Sequence, residues 1–180
     1  MRDDADLILA AKKFDGDALR TIFDSYSSPI YNYALRLCQD GVEADNIVGD
    51  VFALLLDQLA KGKGPDTNLR SYLYQTAYRL VIDHSRERQH IGSLDLLERT
   101  TNEDSPVAFE AEQDSELEAL LHAMNTEITA DQRHVLMLRF VEGFNVEETA
   151  RITGKSIANV KVIQSRGVEK LRRVLGQRFK

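Results

Sequence analysis

Residues 129–175, TADQRHVLMLRFVEGFNVEETARITGKSIANVKVIQSRGVEKLRRVL, leave the chain few choices of fold. They read as two short helices, a tight turn and a long basic helix. Thr129 and Gln132 have capping-box spacing and open a helix with apolar positions Val135, Leu136, Leu138 and Phe140. Gly143 ends it, since glycine takes the left-handed C′ conformation without a steric penalty. Asn145, with Glu148 three residues on, starts a helix over 146–153 that buries Val146, Ala150 and Ile152. Gly154-Lys155-Ser156 turns the chain, and Ser156 caps a last helix running towards Phe179. This order is that of a helix-turn-helix, whose second helix lies in a DNA major groove.

Along the last helix, Val160, Ile163, Gly167, Leu171 and Val174 recur at steps of three and four, a single apolar stripe. Lys161, Gln164, Ser165 and Arg166 fall mostly off that stripe, with Lys155, Ser156 and Asn159 at its N-terminal end. Such groups donate to phosphates and base edges. Residues 151–180 hold nine Lys/Arg against one acid, Glu169, in a chain of net charge −6. A solvated basic helix that merely complements its own dipole would show the same excess. The turn chemistry tips the balance to DNA.

The rest of the charge is blocked. Residues 91–131 carry eleven acids and only Arg99, while residues 70–90 hold four arginines against Asp83 and Glu87. Two positive blocks divided by a negative one suit a molecule that meets DNA at its ends and keeps its middle off it. Periodic Leu- and Ala-rich segments with few Gly and Pro argue for an all-α chain. At 180 residues and 43% hydrophobic content it suits one domain or two small ones. No apolar run has the length of a membrane span, and the first residues lack a signal profile, so a cytoplasmic protein is expected. The single cysteine, Cys38, excludes an internal disulfide and reads as a small buried hydrophobe. The histidines (84, 90, 122 and 134) have no ligand spacing, and nothing resembles a nucleophile-base set. The expectation is a non-enzymatic chain with no metal and no cofactor.

From the start, a helix over 6–14 turns Leu7, Ile8 and Ala11 inward, and 17–26 continues with Leu19, Ile22 and Phe23. Ser28-Pro29 starts or kinks a further helix, striped by Ile30, Tyr33, Ala34 and Leu37. Asp40, with Glu43 in the box position, caps a helix to about residue 60 that is apolar nearly all round. One of its faces suits a core and a second, with Val51 and Phe52, a partner; a central bundle helix fits equally. Residues 61–68, KGKGPDTN, form a basic loop with donors at Lys61, Lys63, Thr67 and Asn68. Helix returns over 69–90 with Leu69, Leu73, Ala77 and Leu80/Val81 buried, and Arg70, Tyr74 and Tyr78 elsewhere on the wheel. Aromatic rings among arginines suit single-stranded nucleic acid, although tyrosines at this spacing also fit a half-buried core.

After His90 the periodicity breaks, and residues 91–114 read as an acidic flexible linker. A helix from Ser115, with Leu117, Leu120, Leu121 and Met124, joins the C-terminal bundle. The expected architecture is two small helical domains, 1–90 and 115–180, the second a helix-turn-helix. The linker could reach about 80 Å fully extended, against about 70 Å for two turns of DNA.

Three segments, GDALRTIFDSYSSPIYNYALRL, EADNIVGDVFALLLDQL and LRSYLYQTAYRLVIDHSRER, closely resemble the first conserved domain of extracytoplasmic-function (ECF) sigma factors. LRFVEGFNVEETARITGKSIANVKVIQSRGVEKLRRVL resembles their second. The ordered set covers nearly the whole chain. This resemblance implies a bacterial alternative sigma factor that binds core RNA polymerase and directs initiation at particular promoters. Asp45, Asn46, Asp50, Val51 and Phe52 match the helix that docks on the β′ clamp. The 61–68 loop and the helix after it match the part that melts and reads the −10 element. Its expected DNA-binding residues are Lys61, Lys63, Asn68, Arg70, Tyr74, Tyr78, Arg79, His84, Arg86 and Arg88. The second domain matches the −35 reader, lying against the β flap and touching DNA through Lys155, Ser156, Asn159, Lys161, Gln164, Ser165 and Arg166.

The resemblance has departures: Ser71-Tyr72 stands where a Trp is common, Asn46 and Gly49 interrupt the usual acidic pair, and the recognition helix reads VKVIQSRG. These bear on which promoter is read. An exposed docking face would also suit an anti-sigma factor. Two rival readings are a helix-turn-helix regulator acting without polymerase, and a sigma-like decoy that occupies the clamp without opening DNA.

Overall fold

The computed structural model describes residues 4–95 and 115–178. The chain divides into two compact units, Met1–Val107 and Ala108–Lys180. Every regular element among the described residues is helical.

In the first unit, α1 (Asp4–Lys12) packs on α2 (Gly16–Cys38) and α3 (Gly41–Ala60), and α2 and α3 both pack on α4 (Leu69–Asp95). Side-chain caps set the helix starts. Asp15 accepts the Ala18 N–H at 2.8 Å, and Asp40 accepts that of Glu43 at 3.0 Å, each satisfying an N–H that the helix leaves unpaired. Between them Gln39 takes a left-handed φ of 58° and returns its N–H to Leu35 O, which stops α2 and aims α3 back along it. No new helix starts at Pro29, for α2 is continuous through it. The carbonyl that loses its partner is that of Ser25, an exposed position, so water can satisfy it and the loss is tolerated.

Ile22, Ile30 and Tyr33 from α2, Ile47, Val51 and Leu55 from α3, and Leu69, Leu73, Tyr74 and Ala77 from α4 are almost fully buried. Each large aliphatic side chain among them contributes about 1.5–3 kcal/mol of burial. The helix expected to stop at His90 continues to Asp95. One internal glycine, Gly92, costs only about 1 kcal/mol against alanine, too little to end so long a helix. Of the expected linker, residues 96–114 lie outside the described residues.

In the second unit, α5 (Ser115–Thr126), α6 (Ala130–Leu136) and α7 (Val146–Thr153) pack around α8 (Ile157–Arg178). Both capping boxes form, Thr129 with Gln132 and Asn145 with Glu148. Gly154 takes φ 68° in the turn, and Ser156 Oγ accepts the Asn159 N–H at 3.2 Å. Gly167 brings α8 onto α6; a Cβ there would stand 3.1 Å from Leu136 Cδ1. Between α6 and Gly143 the chain makes a π-helical turn, Met137–Val141. A wider turn shifts the helical phase. Phe140, expected inside, is therefore 60% exposed, while Phe144 beyond the turn is buried in its place. Cys38 is half-buried, its thiol on the Ala34 and Asp40 carbonyls. No described helix is long and apolar enough to cross a membrane.

Candidate nucleic-acid interface

The buried arc of α8 is formed by Val160, Gly167 and Leu171, with Ile163 and Gln164 at its margins. The opposite arc over its first three turns carries Asn159, Lys161, Ser165 and Arg166, all exposed. Charged and neutral donors thus alternate along a face as wide as a major groove admits. Val162, 44% exposed, lies between them; an apolar side chain on such a face suits a thymine methyl, and the sequence reading missed it. Its signal was present, because Val162 sits off the buried stripe.

Three of the expected groups are already engaged by the fold. Lys155 Nζ lies 2.9 Å from Asp131 Oδ2, and the lysine side chain is only 19% exposed. Gln164 Oε1 accepts from Arg139 Nε at 3.0 Å. The same guanidinium also donates to Phe144 O, so Arg139 fastens the π turn to the recognition helix. Ser156 spends its oxygen on the cap. Lys155 and Gln164 thus also help to hold α8 in place, each through a partner more than twenty positions away.

Beneath this turn His134 is buried, and burial pushes its pKa down to about 4. Asp131 opposes that shift, whereas Arg133 and Lys155 add to it. Arg133 Nε and Nη2 close the end of α5, donating to Met124 O at 2.9 Å and Asn125 O at 2.8 Å.

In the first unit the structure rearranges the candidate face of α4. Tyr74 and Tyr78, expected to stack on bases, are core residues with exposures of 0% and 7%. A ring with no exposed face cannot hold an extruded base. Tyr74 meets the Tyr33 ring edge-on at 5.4 Å, and the Arg70 guanidinium lies 5.5 Å from the Tyr74 ring centre. The reason is that α4 packs against both α2 and α3, so its buried arc is wider than a single stripe and takes in Tyr74 and Tyr78 beside Leu73, Ala77 and Val81.

Outward on α4 are Arg79, Asp83, Ser85, Arg86 and Glu87, with Tyr72, Gln75 and Thr76 half-buried among the polar positions before them. Tyr72 is half-buried, and burial, reinforced by Asp57 and opposed by Arg79, raises its pKa, so the phenol remains a donor. Tyr72, Arg79 and Arg86 follow one another at i, i+7 and i+14, a periodicity visible in the sequence but passed over there. Arg86 Nη1 sits 3.7 Å from Asp83. His84 is half-buried, its ring nitrogens 3.6 Å from Glu43 and 4.0 Å from Asp50, both on α3. The Arg88 side chain lies outside the described residues.

The 61–68 loop is folded rather than open. Gly62 has φ 68°, and a Cβ on Gly64 would stand 2.5 Å from Leu59 Cδ2, so the loop lies over Leu59. Asn68 Oδ1 accepts the Ser71 N–H at 3.1 Å and starts α4, making it a cap before anything else. Lys61 Nζ is 2.6 Å from Asp57, while Lys63 and Thr67 are exposed.

On α3, Val51 is fully buried and cannot form part of a docking face. Phe52 is half-buried, its ring 4.8 Å from Phe23. Asp45, Asn46 and Asp50 are exposed beside Val42 (74% exposed) and Leu56, an apolar strip with an acidic border. Among the described residues no cluster of His, Cys, Asp and Glu could hold a metal ion.

Comparison with known proteins finds a match for each unit. Residues 22–91 match the model of Sigma-70 region 2, and residues 126–173 that of Sigma-70 region 4. The ECF RNA polymerase sigma factor BldN of Streptomyces coelicolor is 28% identical over 94% of this chain, which spans 65% of BldN's length. The ECF RNA polymerase sigma factor SigX of Bacillus subtilis is 24% identical over 87% of the chain and 83% of SigX. Among solved structures, the sigma factor RpoE of Bartonella quintana, crystallised with the anti-sigma factor NepR, superposes with a TM-score of 0.71 at 20% identity. That match covers 87% of this chain and 96% of RpoE and shows a shared fold. With region 2 on its first unit and region 4 on its second, the chain belongs to the sigma-70 family of RNA polymerase sigma factors, in its ECF branch.

Proposed function

We propose that this chain is an alternative sigma factor that joins bacterial core RNA polymerase and directs it to particular promoters. The observation that carries the reading is a pair of polar helix faces, on α4 and α8, in separate units that match regions 2 and 4. A regulator that only grips duplex DNA needs the second face and leaves the first without use.

In this reading the chain forms no bonds itself and acts in the cytoplasm, while polymerase supplies the catalysis. The α3 strip around Asp45, Asn46 and Asp50 docks on the β′ clamp. Lys63, Tyr72, Arg79 and Arg86 receive the opened −10 strand. Unstacking a base costs a few kcal/mol, which ring stacking and phosphate contacts offset at about 1–3 kcal/mol per base. Asn159, Lys161, Ser165 and Arg166 hold the −35 duplex, with the second unit against the β flap. The RpoE complex with NepR supports an anti-sigma factor as a further partner.

Run-off transcription with purified core polymerase tests the proposal. Addition of the chain should give a transcript from one defined start and a permanganate-reactive bubble upstream of it. Binding to duplex DNA with no start site would mean a plain regulator, and binding to core without a bubble a decoy.

A further inference from the structure

The loop between α3 and α4 is secured at both ends by its own neighbours. At its start the N–H groups of Lys61, Gly62 and Lys63 return to Asp57, Leu59 and Gln58; at its end Asn68 caps α4. Its middle is tied from elsewhere in the chain. Lys12, in the last turn of α1, donates from Nζ to Asp66 Oδ1 at 2.5 Å, across 54 residues of sequence. The two partners are unequal. Asp66 is 88% exposed, whereas Lys12 is 28% exposed, on a helix whose Leu7, Ile8 and Ala11 are buried. Lys12 is thus the post and the loop is what it holds. The bond is strong enough, with the ammonium beside it, to lower the Asp66 pKa.

We infer that Lys12 is a positioning residue for −10 recognition. The inference rests on the proposal that the loop meets the opened strand. Two effects follow from the one contact. It narrows the conformations open to a segment containing Gly62 and Gly64, so that Lys63 and Thr67 are presented in one arrangement. It also neutralises the loop's acid, which would otherwise repel a phosphate backbone. The α1 helix lies before residues 22–91, the segment that matches Sigma-70 region 2, so the family match assigns it no part in this.

The test uses the full chain with core polymerase on a parent promoter, a set of −10 base variants and a set of −35 base variants. With Lys12→Glu, run-off from the parent promoter should fall and discrimination among the −10 variants should shrink by roughly threefold to fivefold, the scale of an exposed ion pair. Discrimination among the −35 variants should be unchanged. The exchange Lys12→Asp with Asp66→Lys, which restores opposite charges, should recover most of the −10 selectivity. A purely structural role would lower output at all promoters by one factor, and that result overturns the inference. So does a charge exchange no better than Lys12→Glu alone. If the wild-type chain itself directs no start site, the sigma-factor proposal fails and this inference falls with it.

Discussion

Acidification should loosen the second unit through His134. The imidazole titrates at about 4 in the folded chain against an ordinary 6.5, chiefly because burial penalises its charge. As pH falls, the unfolded chain takes up this proton first, so the stability is whole above pH 6.5 and drains as pH falls towards 4. Linkage makes the loss about 2 kcal/mol at pH 5 and about 3 kcal/mol at pH 4, a large part of what a small helical unit has to spare. All six tyrosines lie in the first unit and the chain has no tryptophan, so tyrosine fluorescence reports that unit alone while far-UV circular dichroism reports both. Urea titrations at pH 7, 6 and 5 then separate the two transitions. His134→Leu is the comparator, because the carboxylates that also titrate in this range are common to both proteins. The wild-type second transition should weaken by about 2 kcal/mol more than that of His134→Leu between pH 7 and 5. Parallel pH dependences would refute the reasoning.

Lys161→Ala and Arg166→Ala should each weaken promoter binding and reduce the slope of log K against log salt by about one. Lys155→Ala should move that slope less, since Asp131 already holds its ammonium; a residue that leaves the slope untouched is not at the interface. Arg139→Ala should cost the second unit about 1.5–3 kcal/mol in urea, the worth of hydrogen bonds to a charged group. Arg139→Lys should not restore it, because one ammonium lacks the fork that reaches both Gln164 and Phe144. Ser71 Oγ is buried with no hydrogen-bond partner among the described residues, so Ser71→Ala should raise the tyrosine-detected midpoint in urea, by a stabilisation of about 1 kcal/mol. A lower midpoint would show that the hydroxyl is paired after all.

The helix starts were legible in the sequence because a cap is a local device: an oxygen on Asp40, Thr129, Asn145 or Ser156 and an N–H three residues on. The same locality made the tight turn at Gly154 readable. What depended on distant partners was not. Nothing near Lys155 announces Asp131, and nothing near Gln164 announces Arg139. The phase shift at Met137–Val141 was hidden for a related reason. A π turn inserts its extra residue without a composition of its own, so a 3.6-residue count carried across it put Phe140 inside and left Phe144 unassigned.

The misreading of α4 has a more general cause. Tyr72 and Tyr74 are chemically identical and two positions apart, about 200° around a helix. One is part of the outward arc with Arg79 and Arg86, and the other closes the core against Tyr33. Hydrophobic periodicity locates the centre of a buried arc but not its width, which is set by how many neighbours the helix has. A helix in contact with one neighbour would bury Leu69, Leu73 and Ala77 and leave Tyr74 to solvent; α4 has two and buries it. On α3 no widening is involved: Val51 falls in line with Ala44, Ile47, Leu55 and Leu59 at steps of three and four, the centre of a single buried stripe, and Asp45 and Asn46 stay outside. The groups left to meet polymerase and DNA are therefore those that the fold has not already used. They can be named only after the helices have been packed.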